Sequence, residues 1–185
     1  MRRGFKTQAE KLALQRRSAF GLAPTDRLDP VSFLRSEGLV VWRPNDIPGL
    51  DPDHLHQLTV IGKDEWDGMT IKEYGFTAII INSSDARTRQ ANTLMHEWAH
   101  IELRHKPSRA DRSDGGILLL SDYPAELEEE ADWLSGCMLA PRDGLLTHCG
   151  RGLSATQVAA HYGISPQLAN WRIRMTGIQR QLGRR

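Results

Sequence analysis

A chain of 185 residues, 39% of them hydrophobic, has material for one core of ordinary domain size, and its 24 basic and 23 acidic side chains leave a formal net charge of +1. That balance excludes a charge-driven affinity for nucleic acid or membrane, although basic residues gather at both ends (Arg2, Arg3, Lys6, Lys11, Arg16, Arg17; Arg172, Arg174, Arg180, Arg184, Arg185) and acids around 122–132. Cys137 and Cys149 make no disulfide framework, residues 1–20 hold no apolar leader, and no run approaches the roughly 20 apolar residues of a membrane span, so the expected location is cytoplasmic.

Thr7 to Phe20 carries Ala9, Leu12, Ala13 and Phe20 at helical spacing and ends at Gly21, which predicts a short amphipathic helix. Asp29-Pro30 starts a second helix through Ser36, with Asp as N-cap, Pro in the first turn and Gly38 past the end. Leu39 to Arg43 is rich in β-formers and reads as a strand. Residues 44–58 are rich in Pro, Asp and Gly. His54 and His56 lie there without an acidic or thiol partner at fixed spacing and read as surface residues. Thr59 to Ile61 and Met69 to Ile71 read as short strands around the turn region from Gly62 to Gly68. Thr77 to Asn82 is a continuous apolar run, the pattern of a strand buried on both faces.

The next helix carries the chemistry. Ala91, Leu94, Met95, Trp98, Ala99 and Leu103 form a core-facing stripe, Ser84 offers an N-cap, and Asp85 offers a first-turn charge. Within it stands His96-Glu97-Trp98-Ala99-His100. Residues four apart on a helix lie nearly above one another, so His96 and His100 present two imidazoles to one point, as zinc ligands do. Glu97, one residue round, can take a proton from an activated water without ligating the metal. Catalytic zinc takes a third protein ligand. A metzincin extension would need Gly at 103 and His at 106, where this chain has Leu103 and Lys106. His105, five residues past His100, points away from the face of the pair.

Residues 104–123 read as a polar loop (Arg104, Lys106, Arg109, Arg112, Gly115, Gly116), broken by Ile117 to Leu120, that borders the cleft. At its end Tyr123 is a candidate donor to an oxyanion, or else a tyrosine packed at a helix start. Pro124 to Leu134 opens a strong helix, with Pro near its first position, acids in its first turns, and Ala131, Leu134, Met138 and Leu139 as apolar positions. Glu126 and Glu129 read as a solvated helix start. Glu128 is the preferred third ligand, because Asp132, four residues on, could hydrogen-bond a ligating histidine; Glu130 is its rival.

The pair of His96-Glu97-Trp98-Ala99-His100 and the run from Glu128 to Pro141 resembles the ImmA/IrrE metallopeptidases, whose second helix runs E-x-E-A-[ND]-x-F-A-x-x-L-L-x-P. Leu134 stands for the usual Phe, Ser135 for Ala, and Cys137-Met138 in the small and apolar positions; no chemical group is lost. The resemblance runs from the helix near residue 30 to the last helix. It implies an α+β, zincin-like metallopeptidase core with a small sheet, a Zn2+ cofactor, and a helical segment after the catalytic helices. It also implies a substrate class: helix-turn-helix repressors cleaved in the regulation of mobile elements or stress responses.

After Pro141 the character changes. Ser154 to Gln157 is a capping box opening a helix to Tyr162, Gly163-Ile164 makes a turn, and Ser165-Pro166 starts another helix through Met175, which together give a helix-turn-helix outline. Asn170, Trp171, Arg172 and Arg174 could read DNA, but Trp171, Ile173 and Ile164 look like core, and specific DNA binding is not expected. The expected organisation is an N-terminal helical extension over 1–25, a zincin-like domain over 26–145, and a helix-turn-helix-like segment over 146–185. Zinc on His96, His100 and Glu128, Glu97 as catalytic base and Asp132 behind a ligand make a zinc endopeptidase acting on a protein substrate. Residues 66–73 are the candidate sheet edge that receives the substrate as an added strand. The alternative is a DNA-binding or antitoxin-like, partner-binding regulator with a non-catalytic metal site. The presence of Glu97, which adds nothing to zinc binding or packing, disfavours it.

Overall fold

Phe5, Ala9 and Ala13 recur at helical spacing and make α1 (Phe5–Ala19) a core helix. The computed structural model describes residues 1–73, 75–112 and 118–183. Helix α2 (Pro30–Ser36) begins where Asp29 accepts a bond from the Ser32 amide, with Pro30 in the first turn, as the sequence predicts. Strand β1 (Val40–Trp42) is followed by α3 (Pro52–His56) and a turn of π-helix over Gln57–Ile61. That turn replaces the strand predicted at Thr59 to Ile61. Asp51 caps α3 and the winding carries on, with the Thr59 hydroxyl donating to the Leu55 carbonyl at 2.7 Å. Val60 and Ile61 stay 54% and 64% exposed, so their β-propensity meets no sheet to pack on.

The sheet is built around a hairpin. β2 (Gly68–Glu73) and β3 (Phe76–Ile81) pair antiparallel, Gly68 opposite Ile81 and Glu73 opposite Phe76. Strand order is β1-β3-β2-β5-β4, with β4 (Arg109–Arg112) and β5 (Leu118–Ser121) forming a second antiparallel pair. Two sequence expectations change here. The stretch 104–123 is a hairpin in part rather than a loop, while Gly115, Gly116 and Ile117 lie outside the described residues. Residues 66–73 are not an edge: β5 bonds along the free side of β2, Thr70 facing Leu120 and Lys72 facing Leu118. An apolar run in a supposed loop was a strand looking for that edge.

Side chains on β3 alternate between two apolar clusters. Ile79 and Ile81 join the main core with the helices, whereas Ala78 and Ile80 pack with Ile71 on the opposite face. Helix α4 (Arg87–Glu102) lies on the helical side. Its N-cap position holds Ala86, without a side-chain bond, in place of the expected Ser84. The Ser84 hydroxyl donates instead to Asn82 Oδ1 at 2.6 Å, and Asp85 precedes the first turn. Gly68 sets how closely β2 approaches α4: a Cβ there would stand 2.5 Å from the Thr93 methyl.

Helix α5 (Ala125–Leu139) packs against α4 and α1, with Ala131, Leu134, Cys137 and Met138 buried. Buried arginines hold its far end. Arg17 donates to the Met138 carbonyl at 2.6 Å, and Arg172 Nε donates to the Ala140 carbonyl at 3.1 Å. These are carbonyls that a helix end leaves without partners. The remaining helices are α6 (Arg142–Gly150), α7 (Ala155–Tyr162), α8 (Pro166–Thr176) and α9 (Ile178–Leu182). Ser154 and Gln157 form the predicted capping box, and Gly163 takes the left-handed φ of 69° that ends α7. One apolar core runs from Phe5 and Leu28 through Trp98 and Leu134 to Val158, Ile173 and Ile178. Cys137 and Cys149 are free thiols, and among the described residues no helix is long and apolar enough to cross a membrane.

Candidate metal centre and active site

Helical spacing brings His96 and His100 together on α4, with their Nε2 atoms 3.0 Å apart. Helix α5 crosses beside them and offers Glu128, whose Oε2 lies 3.0 Å from His96 Nε2 and 3.6 Å from His100 Nε2. One donor atom from each of the three residues falls within a 4.8 Å spread. Two imidazoles and one carboxylate are the donor set of a catalytic zinc site with a position left for water, so these residues fit that ion. On the other side of the His96 ring, Asp132 Oδ1 lies 3.0 Å from Nδ1. Glu128 and Asp132 thus face His96 from successive turns of one helix.

Glu130, the rival ligand, faces away from this group. Its buried carboxylate takes four bonds of 2.7–3.1 Å from the Arg2 amide and guanidinium. Burial alone would raise its pKa, but the bonds from Arg2 outweigh it and hold the carboxyl below its ordinary range.

Glu97 sits one residue round from His96 and is bound by a residue on the sheet. Thr70, buried on β2, donates to Glu97 Oε2 at 2.5 Å. Burial raises the Glu97 pKa, restrained by the Thr70 bond and by His96. Burial also opposes charge on His96, yet the bond to Asp132 and the charges of Asp132, Glu97 and Glu128 leave its pKa raised. His100 is pushed down to about 3, by burial first and then by His96 and His105, so it stays neutral with a nitrogen lone pair to offer. Tyr123 stacks on the His100 ring, with centroids 3.7 Å apart and planes 26° apart. Its pKa is raised to about 12 by burial and by Glu97 and Glu128, which keeps the hydroxyl protonated.

His105 is where helical extrapolation misleads. The helix stops at Glu102, Arg104 takes a left-handed φ of 53°, and the His105 amide donates back to the His100 carbonyl at 3.0 Å. His105 therefore returns onto His100, with its Nδ1 3.0 Å from His100 Nδ1, on the side of that ring away from His96 and Glu128. Thr70 and His105 are the residues that reading the sequence missed. A lone threonine between Met69 and Ile71 in a buried strand was a signal for the first; the second depends on a turn at a non-glycine residue, which carries none.

The helix-turn-helix outline spends Arg172 and Trp171 on packing. Arg172 is wholly buried and donates to Glu10 at 2.6 Å, and Trp171 meets Trp133 edge to face at 5.2 Å. Asn170 bonds back to the Pro166 carbonyl, and Arg174 is exposed.

Comparison with curated proteins and with solved structures gives no match. Residues 60–174 do match the IrrE N-terminal-like domain of the M78 peptidases, a stretch that holds β2, β3, both helices of the metal centre and most of α8. With more than half its length matched, around a mixed α and β fold that could hold a metal on two histidines and a glutamate, the chain belongs to the IrrE N-terminal-like family of metallopeptidases.

Proposed function

We propose that this chain is a zinc-dependent endopeptidase that cuts a helix-turn-helix repressor. The observation that carries the reading is the convergence of His96, His100 and Glu128 within 4.8 Å beside a carboxylate, Glu97, that ligates nothing. His96, His100 and Glu128 would hold the zinc, which when bound acidifies a water and polarises the scissile carbonyl. Glu97 takes the proton of the attacking water and passes it to the leaving amine. Its raised pKa suits that work, since a base tuned above the usual carboxylate range binds the proton well enough to relay it. Thr70 fixes Glu97 Oε2 and so fixes the carboxylate plane. Asp132 accepts from His96 Nδ1 and directs the opposite nitrogen of that ring towards Glu128 and His100. Tyr123, still protonated at neutral pH, is the proposed donor to the developing oxyanion.

The repressor substrate is what the family resemblance implies. A broad, folded substrate also suits a centre whose Glu128 and Asp132 side chains are 41% and 62% exposed, open to the surface rather than sunk in a deep slot. The metal part of the reading is tested by elemental analysis. About one zinc per chain is expected, lost on His96→Ala or His100→Ala and sharply weakened by Glu128→Ala. Glu130→Ala should still load fully at saturating zinc; the reverse pattern for the two glutamates would overturn the ligand assignment. The substrate part is tested by mass spectrometry of a helix-turn-helix repressor encoded beside this chain after co-incubation. A single internal cut is expected, and an intact repressor would reject this substrate class.

A further inference from the structure

The buried group that the mechanism leaves unused is His105 with Glu130 behind it. Their side chains are 4% and 1% exposed, and Glu130 is gripped by Arg2 from the far end of the chain. His105 Nδ1 stands 3.0 Å from His100 Nδ1, and His105 Nε2 stands 3.6 Å from Glu130 Oε2, buried and without a bonding partner among the described residues.

With a metal on His100, hydrogen bookkeeping allows one arrangement along this line. His100 Nε2 faces His96 Nε2 and Glu128, and as a metal ligand it presents its lone pair there. Its proton is then on Nδ1. At 3.0 Å from another Nδ1, that proton needs an acceptor, so the facing nitrogen of His105 is bare. The proton of His105 is left on Nε2, pointing at an ionised Glu130 that is in turn held by the Arg2 guanidinium. Both histidines have one tautomer available, and each fixes the other.

We infer that His105 is a positioning residue for the metal centre, accepting the Nδ1 hydrogen of His100 while the charge of Glu130, itself held by Arg2, favours the proton of His105 on its far side. The inference rests on reading His100 as a metal ligand. His96 has a carboxylate behind it, Asp132; His100 has a neutral imidazole in the same role, kept in the accepting state by a carboxylate one step further back. The left-handed Arg104 is part of the device. A non-glycine residue is disfavoured in that conformation, and it is what folds His105 back over His100. Buried partners behind metal ligands orient the ring and raise its basicity.

The test reads tautomers and metal affinity rather than turnover. Nitrogen-15 NMR of the histidine-labelled, zinc-loaded protein should find His100 protonated on Nδ1 and His105 on Nε2. His105→Phe keeps a buried ring but removes the acceptor, and should weaken zinc about 10- to 100-fold in chelator competition and shift the visible spectrum of the cobalt-loaded protein. His105→Asn restores an acceptor near the Nδ1 position and should recover most of the affinity. A His100 proton on Nε2, or wild-type affinity in His105→Phe, would overturn the inference. A wild-type chain that takes up no zinc would overturn the metal reading and the inference with it, whereas a zinc-loaded chain with the other tautomer would overturn the inference alone.

Discussion

In the proposed mechanism Glu97 has to be ionised to accept a proton, yet basic enough to keep it for the leaving group. Burial supplies the basicity, and the Thr70 hydroxyl with the charge of His96 limits it. Thr70→Val removes a bond to the charged form, so the Glu97 pKa should rise further and the acid limb of kcat/KM should move to higher pH, with zinc content unchanged. A limb that stays where it was would show that Thr70 does not act on Glu97. His96 has the opposite leaning. Its raised pKa means that a proton competes with a metal for that ring up to higher pH than on a free imidazole. Zinc affinity should therefore fall as pH falls through the His96 range, with proton release measurable by calorimetry in buffers of different ionisation heat. Affinity independent of pH would contradict the part given to His96. At this scale His96, Glu97, His100 and the Glu128–Asp132 pair were legible in the sequence because helical spacing alone puts them on common faces. Thr70 was not, since its partner lies 27 residues on and the contact needs strand and helix in place.

Elements were legible where local chemistry fixed them. Asp29-Pro30, Ser154 with Gln157, and Ser165-Pro166 each start a helix as their cap chemistry dictates. Where only tertiary partners decide, the sequence misleads: Thr59 to Ile61 wound onto α3, and the polar stretch after α4 became two strands. That hairpin turned β2 from an edge into an inner strand, so the Thr70–Lys72 stretch is already paired where a substrate strand was expected to add. The distance between sheet and metal helix is set by Gly68. A Cβ there would be 2.5 Å from Thr93 Cγ2 and 3.2 Å from the Ile80 carbonyl, so Gly68→Ala must turn the Thr93 side chain or push α4 off β2, which would stretch the Thr70–Glu97 contact. It should cost about 1–3 kcal/mol of stability by chemical denaturation and lower kcat as well. An unchanged midpoint and unchanged turnover would mean that α4 is positioned by α5 alone.

At the scale of the whole molecule, one core joins α1 to the C-terminal helices, and two buried arginines tie the end of α5 to both. The segment with the helix-turn-helix outline is thereby part of the support of the helix that carries Glu128. With Arg172 buried against Ala140 and Glu10 and a net charge of +1, little of it is left to read a groove. Purified protein should show no preference among DNA duplexes at physiological salt, and a footprint on a specific operator would contradict this. The outline was legible in the sequence; its burial was not, because an arginine that reads phosphate and one that caps a neighbouring helix look the same in one dimension. The central claim is catalysis by Glu97 on a protein substrate, and one comparison tests it most directly: cleavage of the repressor by the wild-type and Glu97→Gln proteins, both folded and loaded with zinc. Glu97→Gln keeps size and loses the base, so the rate should fall by about two to four orders of magnitude, whereas equal cleavage by the two proteins would contradict the mechanism.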